Sequence, residues 1–167
     1  MNKLVALECV FSSPKMQDDM VWVEKTGSLD VFLSNSVFVR IRIQDGSKVI
    51  LTAKRSKEKT GAASLVKREH EVVVDSAEEV RGILQLMGLQ EAVRVTKTRQ
   101  TTTCNGYEVC IDDFEGLGSF IELEKIASTD KAADIQDEMM KFLETLGIAP
   151  ENRIMKGYDI LMLEKTV

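Results

Sequence analysis

Two stretches of the chain carry apolar residues at helical spacing. In Ser76–Met87, Ser76 and Glu79 have the S-x-x-E spacing of a capping box, and Gly88 follows as a stop. A second pattern runs from about Asp130 to Leu146 and ends at Gly147. The apolar stripes consist of Val80, Ile83, Leu84 and Met87 in the first stretch and Ile135, Met139, Phe142 and Leu146 in the second. Both patterns predict amphipathic helices packed on one face.

Most of the remaining chain alternates with the period of two that is typical of strands. The turns Asp45-Gly46 and Asn105-Gly106 join two of the predicted pairs as hairpins. The predicted strands are Val37–Ile43, Lys48–Lys54, Lys67–Asp75, Val93–Thr103, Tyr107–Asp112, Ser119–Lys125, Gly157–Leu163, Leu4–Phe11 and one of Val21–Glu24 or Val31–Phe32. We predict a loop or short turn within Ser13–Gly27. The expected fold is α+β, with about eight strands in a closed or nearly closed antiparallel β-barrel flanked by helices.

Composition narrows the possible classes of protein. The chain has 167 residues, 44% hydrophobic and 29% charged, which predicts one domain over residues 1–167 with a real core. Its net charge of −5 disfavours nucleic acid and anionic membranes as partners. No apolar run has the length of a membrane span, and residues 1–11 lack the features of a signal peptide. We therefore expect a soluble, cytoplasmic protein.

The cysteines point to neither a disulfide framework nor a zinc site. Cys9, Cys104 and Cys110 form no even set and no C-x-x-C pair, and His70 is the single histidine. We expect three reduced, semi-buried thiols.

Several predicted strands carry charges two residues apart, which places both charges on one face. These charges are the pairs Arg40 and Arg42, Glu69 and Glu71, Lys97 and Arg99, and Glu122 and Glu124, with single charges at Lys54 and Asp112. The opposite faces of these strands are apolar. On an ordinary sheet such charges face bulk water. In a barrel whose apolar outer face packs under helices, the same charges would point into a wet lumen.

A lumen holding five bases and five acids has a chemical meaning. Clustered Arg and Lys favour a polyanion, and planar guanidinium groups suit bidentate contacts with phosphate. Clustered carboxylates without histidine or thiolate favour a hard cation such as Mg²⁺ or Mn²⁺, which usually arrives with substrate phosphates. Together they predict a metal–polyphosphate site. Phosphoryl or nucleotidyl transfer requires mainly positioning and charge neutralisation, so no nucleophilic side chain need be visible.

The residues of these strands resemble the CYTH superfamily of triphosphate tunnel enzymes, which includes class IV adenylyl cyclases and thiamine triphosphatases. The most specific segment is Val109–Glu124, which is very similar to the family pattern v-x-l-D-x-v-x-g-L-G-x-F-v-E-i-E. The other matching segments are V-R-I-R at 39–42 (R-x-R), L-T-A-K at 51–54 (L-T-x-K), R-E-H-E at 68–71 (R-E-x-E), K-T-R at 97–99 (K-x-R) and G-Y-D-I-L at 157–161 (S-Y-x-e-L-L). The resemblance covers about Val37 to Leu163, and its L-G before E-x-E leans toward the cyclase-like branch.

The resemblance implies a role for each charged position. Arg40, Arg42, Lys54, Lys97 and Arg99 would bind the triphosphate. Glu122, Glu124 and Asp112, with Glu69, Glu71 and Glu8 as further candidates, would hold Mg²⁺ or Mn²⁺. The family opens with E-x-E-x-K, whereas the corresponding residues here are Glu8-Cys9-Val10-Phe11-Ser12, which keep one glutamate and lose the other glutamate and the lysine. This departure puts efficient turnover in question, although Lys3, Lys15 or Lys25 could substitute for the lysine.

Three functions remain open from the sequence. The leading one is a metal-dependent enzyme that either cyclises ATP to cyclic AMP and pyrophosphate or hydrolyses a nucleotide or thiamine triphosphate; its catalytic residue is not identifiable. The second is a non-catalytic nucleotide- or polyphosphate-binding module, which the altered first motif favours. The third is an interaction protein with a purely structural barrel. Aromatic residues without a covering helix, Trp22, Phe32 and Phe38, also allow a homodimer.

Overall fold

The computed structural model describes residues 9–24, 37–56, 67–126, 131–154 and 156–166. This part of the chain contains seven strands, three α-helices and a short 3₁₀ turn at Pro150–Asn152. The strands are β1 (Lys15–Glu24), β2 (Val37–Gln44), β3 (Lys48–Ser56), β4 (Lys67–Val74), β5 (Leu89–Cys104), β6 (Tyr107–Phe114) and β7 (Gly118–Glu124). The helices are α1 (Ala77–Leu86), α2 (Ala132–Thr145) and α3 (Tyr158–Thr166). The structure therefore confirms the six predicted strands that carry the charged residues, β2 to β7, and the two predicted amphipathic helices, α1 and α2.

All seven strands form one antiparallel sheet in the order β4-β3-β2-β1-β5-β6-β7. Two of its hairpins turn at Asp45-Gly46 and Asn105-Gly106, where all four residues have positive φ. This left-handed backbone matches the twist of the flanking strands, and Asn, Asp and Gly adopt it at the lowest cost. The hairpin register that these turns fix is the one that places the charged positions on a common face.

The sheet curls, so its two ends approach each other. Lys54 on β3 lies close enough to Glu124 on β7 for its positive charge to act on that carboxyl, although the two strands are far apart in the order of the sheet. Within the described residues, β4 and β7 are edge strands that do not pair with each other. The structure thus has a curled half-barrel, and closure of the barrel stays a prediction.

Helix α1 packs on the outer face of β1, β2 and β3. Met20, Trp22 and Ile41 are almost completely buried there against Val80 and Leu84 of α1. The helix begins as its sequence predicts, because the Ser76 hydroxyl accepts a hydrogen bond from the backbone N–H of Glu79. Since Trp22 lies in this core, it cannot provide the exposed interface on which the homodimer prediction partly rested. Phe32 is outside the described residues, and the homodimer stays a prediction.

Helix α2 covers the outer face of the other half of the sheet. Phe142 packs with Tyr107 and Val109 of β6, and its ring centroid lies 5.6 Å from that of Tyr107. Met139 and Leu146 extend this contact toward Ile111, Ile121 and Leu123. The apolar faces of β1, β2, β3, β6 and β7 therefore lie under helices, as the alternation predicts, whereas Val72 on the apolar face of β4 is 55% exposed; the charged faces lie on the inner side of the curl.

Two predictions about local structure were wrong. Ser13–Gly27 was expected to be a loop, but most of it is β1. The alternation is hidden because Asp18 occupies an outer-face position, where its carboxylate pairs with Arg94. Gly157–Leu163 was expected to be a strand, but from Tyr158 onward this segment belongs to helix α3. Asp159 in its first turn and Lys165 in its last turn suit the helix dipole, and the Lys165 ammonium donates to the Gly116 carbonyl.

The start of the described chain also differs from expectation. Leu4–Phe11 was predicted as a strand; residues 4–8 lie outside the described residues, and 9–14 run beside β5 without regular strand structure. The backbone N–H of Ser12 donates to the Thr101 carbonyl at 2.8 Å. Cys9 and Cys104 form a disulfide across this contact, so the prediction of three reduced thiols was wrong. Cys110 is free and buried, and burial raises the pKa of its thiol to about 12.

None of the described helices combines the length and the apolar character needed to cross a membrane.

Candidate functional site

The register places all the predicted charged positions of the described strands on the inner face. Residues directly opposite each other in an antiparallel sheet point to the same side. Arg40 lies opposite Thr52, which lies opposite Glu71, and Arg99 lies opposite Asp112. We call β2, β3 and β4 the first wing and β5, β6 and β7 the second wing, with β1 between them. The charged face thus extends across both wings, as predicted.

In the first wing, Arg42 is bound by a carboxylate from β1. Asp19 lies opposite Arg42, and its oxygens accept from Arg42 Nε at 2.6 Å and Nη2 at 2.7 Å. Both side chains are about nine-tenths buried. Burial alone would raise the pKa of Asp19, but the hydrogen bond and charge of Arg42, with the charges of Arg40 and Lys97, hold that pKa below its usual value. Asp19 is therefore a carboxylate anion at neutral pH.

Arg40 and Lys54 have weaker partners. Arg40 donates from Nη2 to the Thr52 hydroxyl at 3.2 Å and lies 3.7 Å from a Glu71 oxygen, and its Nε is buried without a hydrogen-bond partner. Lys54 Nζ lies 2.5 Å from Glu69, which is 39% exposed. Burial, followed by the repulsion of neighbouring bases, lowers the pKa of both Arg40 and Lys54. An anion bound here would relieve that unfavourable charge.

The second wing has its carboxylate in the middle strand. Asp112 is fully buried and accepts from Lys97 Nζ at 3.0 Å and from Arg99 Nε at 2.6 Å. These two bases hold the pKa of Asp112 below its usual value against the opposing effect of burial. Burial and the charge of Arg99 lower the pKa of Lys97, whereas contacts with Asp112 and Glu122 raise that of Arg99 despite burial. Lys97 is thus the base of this wing that an anion would stabilise most.

Glu122 and Glu124 form the acidic edge of the second wing. A Glu122 oxygen lies 2.6 Å from Arg99 Nη2, and a Glu124 oxygen lies 3.6 Å from Nη1 of the same guanidinium. Burial and then the neighbouring charge of Glu122 raise the pKa of Glu124. Two carboxylates that repel each other are the hard oxygen donors that Mg²⁺ and Mn²⁺ prefer.

This donor set fits a divalent cation that is shared with phosphate. No group of three or more His, Cys, Asp or Glu side chains close enough to hold a metal occurs within the described residues. Magnesium is commonly bound by one or two carboxylates together with substrate phosphates, so the Glu122–Glu124 pair is sufficient on the protein side. Asp112 differs from that pair, since both its oxygens are already hydrogen-bonded to bases. Glu69 and Glu71 lie on the opposite wing, next to Lys54 and Arg40.

An aromatic cluster covers one end of the charged face. The ring of Tyr158 on α3 packs 4.2 Å from Phe114 and 5.2 Å from Phe120, measured between centroids. Lys97 Nζ lies 5.0 Å from the centroid of Phe114 and 5.4 Å from that of Tyr158. The cluster restricts water on this side of Lys97 and Asp112. It follows from α3 being a helix, and the prediction of a strand there missed it.

The segment that corresponds to the family's E-x-E-x-K supplies neither of the missing groups. Glu8 lies outside the described residues. Val10 is 85% exposed, and the Ser12 hydroxyl accepts from the backbone N–H of Thr101 at 3.0 Å. Cys9 is held by its disulfide to Cys104. Within residues 9–14, therefore, no carboxylate or ammonium joins the charged face from this segment.

Asp19 is a buried charged residue of the inner face that the sequence analysis missed. It fell in the predicted loop because Ser13–Gly27 contains Pro14 and has only a weak apolar pattern. The signal was nevertheless present, since Gln17, Asp19 and Val21 alternate with Met20 and Trp22. Reading β1 as a strand would have placed Asp19 beside the Arg40 and Arg42 strand.

The comparison with protein families agrees with this geometry. The CYTH domain family matches residues 30–158. The chain belongs to this family. A protein of Methanocaldococcus jannaschii named "Putative adenylate cyclase" is 32% identical over 158 residues, which cover 94% of this chain and 87% of the relative. Members of the family are triphosphate tunnel enzymes, so the family and the charged face agree in the class of ligand.

Solved structures with the same fold share few residues with this chain. A protein of Pyrococcus horikoshii superposes with a TM-score of 0.78 at 23% identity, covering 98% of this chain and 92% of that one. A Vibrio parahaemolyticus protein with the same adenylate cyclase designation gives a TM-score of 0.74 at 12% identity, covering 96% and 91%. These structures establish the fold. The individual roles of the charged residues remain predictions.

Proposed function

We propose that this chain binds the triphosphate of a nucleotide on its charged face and, with Mg²⁺ or Mn²⁺, converts ATP to cyclic AMP and pyrophosphate. The observation that carries the proposal is the set of three bases, Arg40, Lys54 and Lys97, that share the inner face with side chains at most 16% exposed; burial lowers the pKa of each. Each base has a carboxylate neighbour in the protein, Glu71, Glu69 and Asp112 respectively, and a bound phosphate would supply the further negative charge that buried bases favour. The adenylate cyclase name of a relative makes cyclisation the first reaction to test, with triphosphate hydrolysis as the second.

In this proposal the bases position the phosphates and balance their charge. Arg40, Arg42 and Lys54 of the first wing and Lys97 and Arg99 of the second contact phosphate oxygens, and carboxylates hold Arg42 and Arg99 in place. During cyclisation the ribose 3′-oxygen bonds to the α-phosphorus, the bond to pyrophosphate breaks, and the hydroxyl proton passes to solvent or to a base that is not identified. The developing negative charge on pyrophosphate lies among the bases, which stabilise it.

A divalent cation fits the acidic edge of the second wing. Glu122 and Glu124 would hold it together with phosphate oxygens, and it would supply further neutralisation of the leaving group's charge. The elevated pKa of Glu124 supports this assignment, because a bound cation would offset the repulsion from Glu122. Asp112, Glu69, Glu71 and Glu8 stay weaker candidates: both oxygens of Asp112 are bonded to bases, Glu69 and Glu71 lie on the opposite wing, and Glu8 is outside the described residues.

A non-catalytic triphosphate-binding module is the second candidate. It is favoured by residues 9–14, where Val10 and Ser12 occupy the positions of the family's second glutamate and its lysine. A face that keeps the phosphate-binding bases and lacks part of the metal and phosphate contacts can bind a triphosphate without turning it over.

One experiment separates these candidates. The chain is incubated with ATP, inorganic triphosphate or thiamine triphosphate, with Mg²⁺, Mn²⁺ or neither, and the products are analysed for cyclic AMP, pyrophosphate and phosphate. Thermal unfolding is measured in parallel, and a ligand at a hundredfold excess over its Kd should stabilise the fold by about 2.7 kcal/mol. Arg94→Gln serves as the control, because Arg94 is an exposed outer-face base paired with Asp18.

Each outcome selects one candidate. Cyclic AMP and pyrophosphate from ATP would support the cyclase, and release of phosphate would support hydrolysis. Stabilisation without products would select the binding module. Neither stabilisation nor turnover with any of the three triphosphates would overturn the proposal.

A further inference from the structure

We infer that Asp19 is a positioning residue, whose carboxylate holds the Arg42 guanidinium in the orientation that receives a phosphate group. The inference rests on the proposed binding of a triphosphate, and it adds a residue to which neither the sequence patterns nor the family resemblance gives a role.

The contact geometry carries the inference. The two Asp19 oxygens accept from Nε and Nη2 of Arg42 at 2.6 and 2.7 Å, which is the bidentate arrangement that fixes a guanidinium plane most firmly. This pairing uses one edge of the guanidinium and leaves Nη1 without a partner among the described residues. Asp19 also lies 3.8 Å from Arg40 Nη1. Both arginines of β2 are therefore arranged around one carboxylate.

The position of Asp19 explains why it can act in this way. It lies on β1, the central strand, and is paired with β2 on one side and β5 on the other. A side chain on a central strand is held by two neighbouring backbones, and that of Asp19 is only 8% exposed. Such a fixed carboxylate restricts the rotamers of a long arginine before any ligand arrives, which lowers the entropy cost of binding.

The same strand supplies a matched control. Asp18, the preceding residue, pairs with both Nε and Nη2 of Arg94, but it points to the outer face. The Asp18–Arg94 pair thus repeats the chemistry of the Asp19–Arg42 pair at an exposed position away from the charged face. A change in binding that arises only from a disturbed strand β1 or from an altered net charge would appear in both Asp19→Asn and Asp18→Asn.

Positioning and simple electrostatics predict opposite results. Asp19→Asn removes a negative charge close to the bases, so Coulomb attraction alone would strengthen the binding of a polyanion. If Asp19 positions Arg42, the same change frees the guanidinium and weakens binding, because ordering a free side chain when the ligand binds costs up to about tenfold in affinity.

The experiment is calorimetric titration of inorganic triphosphate into the unmodified chain and into Asp19→Asn, Asp19→Glu and Asp18→Asn. We expect Kd to rise about tenfold for both Asp19 variants and to change less than about twofold for Asp18→Asn. Asp19→Glu keeps the charge and moves the carboxylate by one methylene, so it remains informative if Asp19→Asn folds poorly. Binding by Asp19→Glu that equals that of the unmodified chain would overturn the inference, as would equal or tighter binding by a folded Asp19→Asn.

A double-mutant cycle tests whether Asp19 acts through Arg42. In an Arg42→Gln background, Asp19→Asn should weaken binding no further, and this double variant leaves neither member of the buried pair uncompensated. Additive losses would show that Asp19 does not act through Arg42 and would overturn the inference.

The result also separates this inference from the proposed function. If the unmodified chain binds triphosphate and the Asp19 variants bind equally well, only the role of Asp19 fails. If the unmodified chain does not bind triphosphate, the proposed function fails, and the role of Asp19 in binding fails with it.

Discussion

The two wings of the sheet carry the same kinds of charged residue, but the buried carboxylate that neutralises the bases lies on a different strand in each case. Each wing has a pair of bases on the strand next to β1 and a pair of glutamates on its edge strand. In the middle strand, the second wing has the buried Asp112, whereas the first wing has Thr52 and Lys54. The carboxylate that serves the first wing is Asp19, which comes from β1.

This difference gives the two wings opposite charge among the ten predicted lumen residues. The first wing has three bases (Arg40, Arg42, Lys54) against two carboxylates (Glu69, Glu71), and the second has two bases (Lys97, Arg99) against three carboxylates (Asp112, Glu122, Glu124). Asp19 of β1 adds a third carboxylate beside the three bases of the first wing and balances their charge, so a cation is expected at the acidic edge of the second wing and an anion toward the less negative first wing. The lowered pKa values of Arg40 and Lys54 and the raised pKa of Glu124 agree with this polarity.

The largest predicted effect is the loss of stability when the carboxylate that neutralises the buried bases of the second wing is removed. Asp112→Asn leaves Lys97 and Arg99 buried without their shared carboxylate, so the free energy of unfolding should fall by about 3–5 kcal/mol. Urea denaturation would measure this loss. Asp113→Asn is the control, because Asp113 is the neighbouring, exposed residue of β6 and its side chain accepts a hydrogen bond from the Ser119 hydroxyl at 2.9 Å. Equal stability of the two variants would contradict the importance of Asp112.

Among the described residues, the second wing is the one that the disulfide crosslinks, because the bond joins Cys9, in residues 9–14, to Cys104 of β5. Cys104→Ser should lower the free energy of unfolding by about 2–4 kcal/mol, because the crosslink restricts the unfolded chain between Cys9 and Cys104. Thermal unfolding with and without a reductant measures the effect. The reductant should remove the difference between the variant and the unmodified chain. An unmodified chain whose melting is insensitive to the reductant would contradict the disulfide.

A smaller effect is expected when a base of the first wing is removed. Arg40→Gln should weaken the binding of inorganic triphosphate about tenfold, or about 1.4 kcal/mol, since one charge-assisted contact is lost. Calorimetric titration measures the change, and Arg94→Gln on the outer face should leave Kd unchanged. An unchanged Kd for Arg40→Gln would place the anion elsewhere.

The smallest effect concerns the pH dependence of the second wing's edge. The pKa of Glu124 is raised in the folded protein, so the folded state binds this proton more tightly than the unfolded chain does. Its contribution to stability is therefore present at low pH and is lost as the pH rises through the folded-state pKa. Because Glu124 is 52% exposed, the contribution should be roughly 0.5 kcal/mol or less.

Glu124→Gln tests this effect directly. The variant should flatten the corresponding part of a stability profile measured by urea denaturation in mildly acidic to neutral buffers. Mn²⁺ should offset the loss at neutral pH in the unmodified chain and not in the variant. Identical pH profiles for the two proteins would contradict the raised pKa.

Local patterns were sufficient to predict most of the elements. The alternation in β2 to β7 predicts which residues share a face, because the side-chain period of a strand is two whatever lies nearby. The Ser76 cap and the apolar stripe predict α1, and the two Gly-containing turns predict their hairpins. The ten charged residues could be selected on this basis alone, because their opposite faces are apolar.

The errors occurred where a long-range contact overrides the local pattern. Asp18 interrupts the apolar alternation of β1, and its pairing with Arg94, 76 residues away in the sequence, makes that position acceptable in a strand. The weak alternation after Gly157 suggests a strand. In the structure this segment is helix α3, and the ring of Tyr158 packs on Phe114 and Phe120. The disulfide depends on Cys9 and Cys104 meeting across residues 9–14 and β5, which sequence spacing cannot show.

The sequence by itself determined the composition of the charged face, since strand periodicity assigns each base and acid to a side of the sheet. Only the tertiary structure decided which charge neutralises which. Asp112 could have been free to bind a metal, yet the register sets it opposite Arg99 and near Lys97. Asp19 reaches Arg42 because β1 lies at the centre of the sheet. Pairing between charges depends on distances of a few ångströms between strands that are remote in sequence, and those distances are set by the fold.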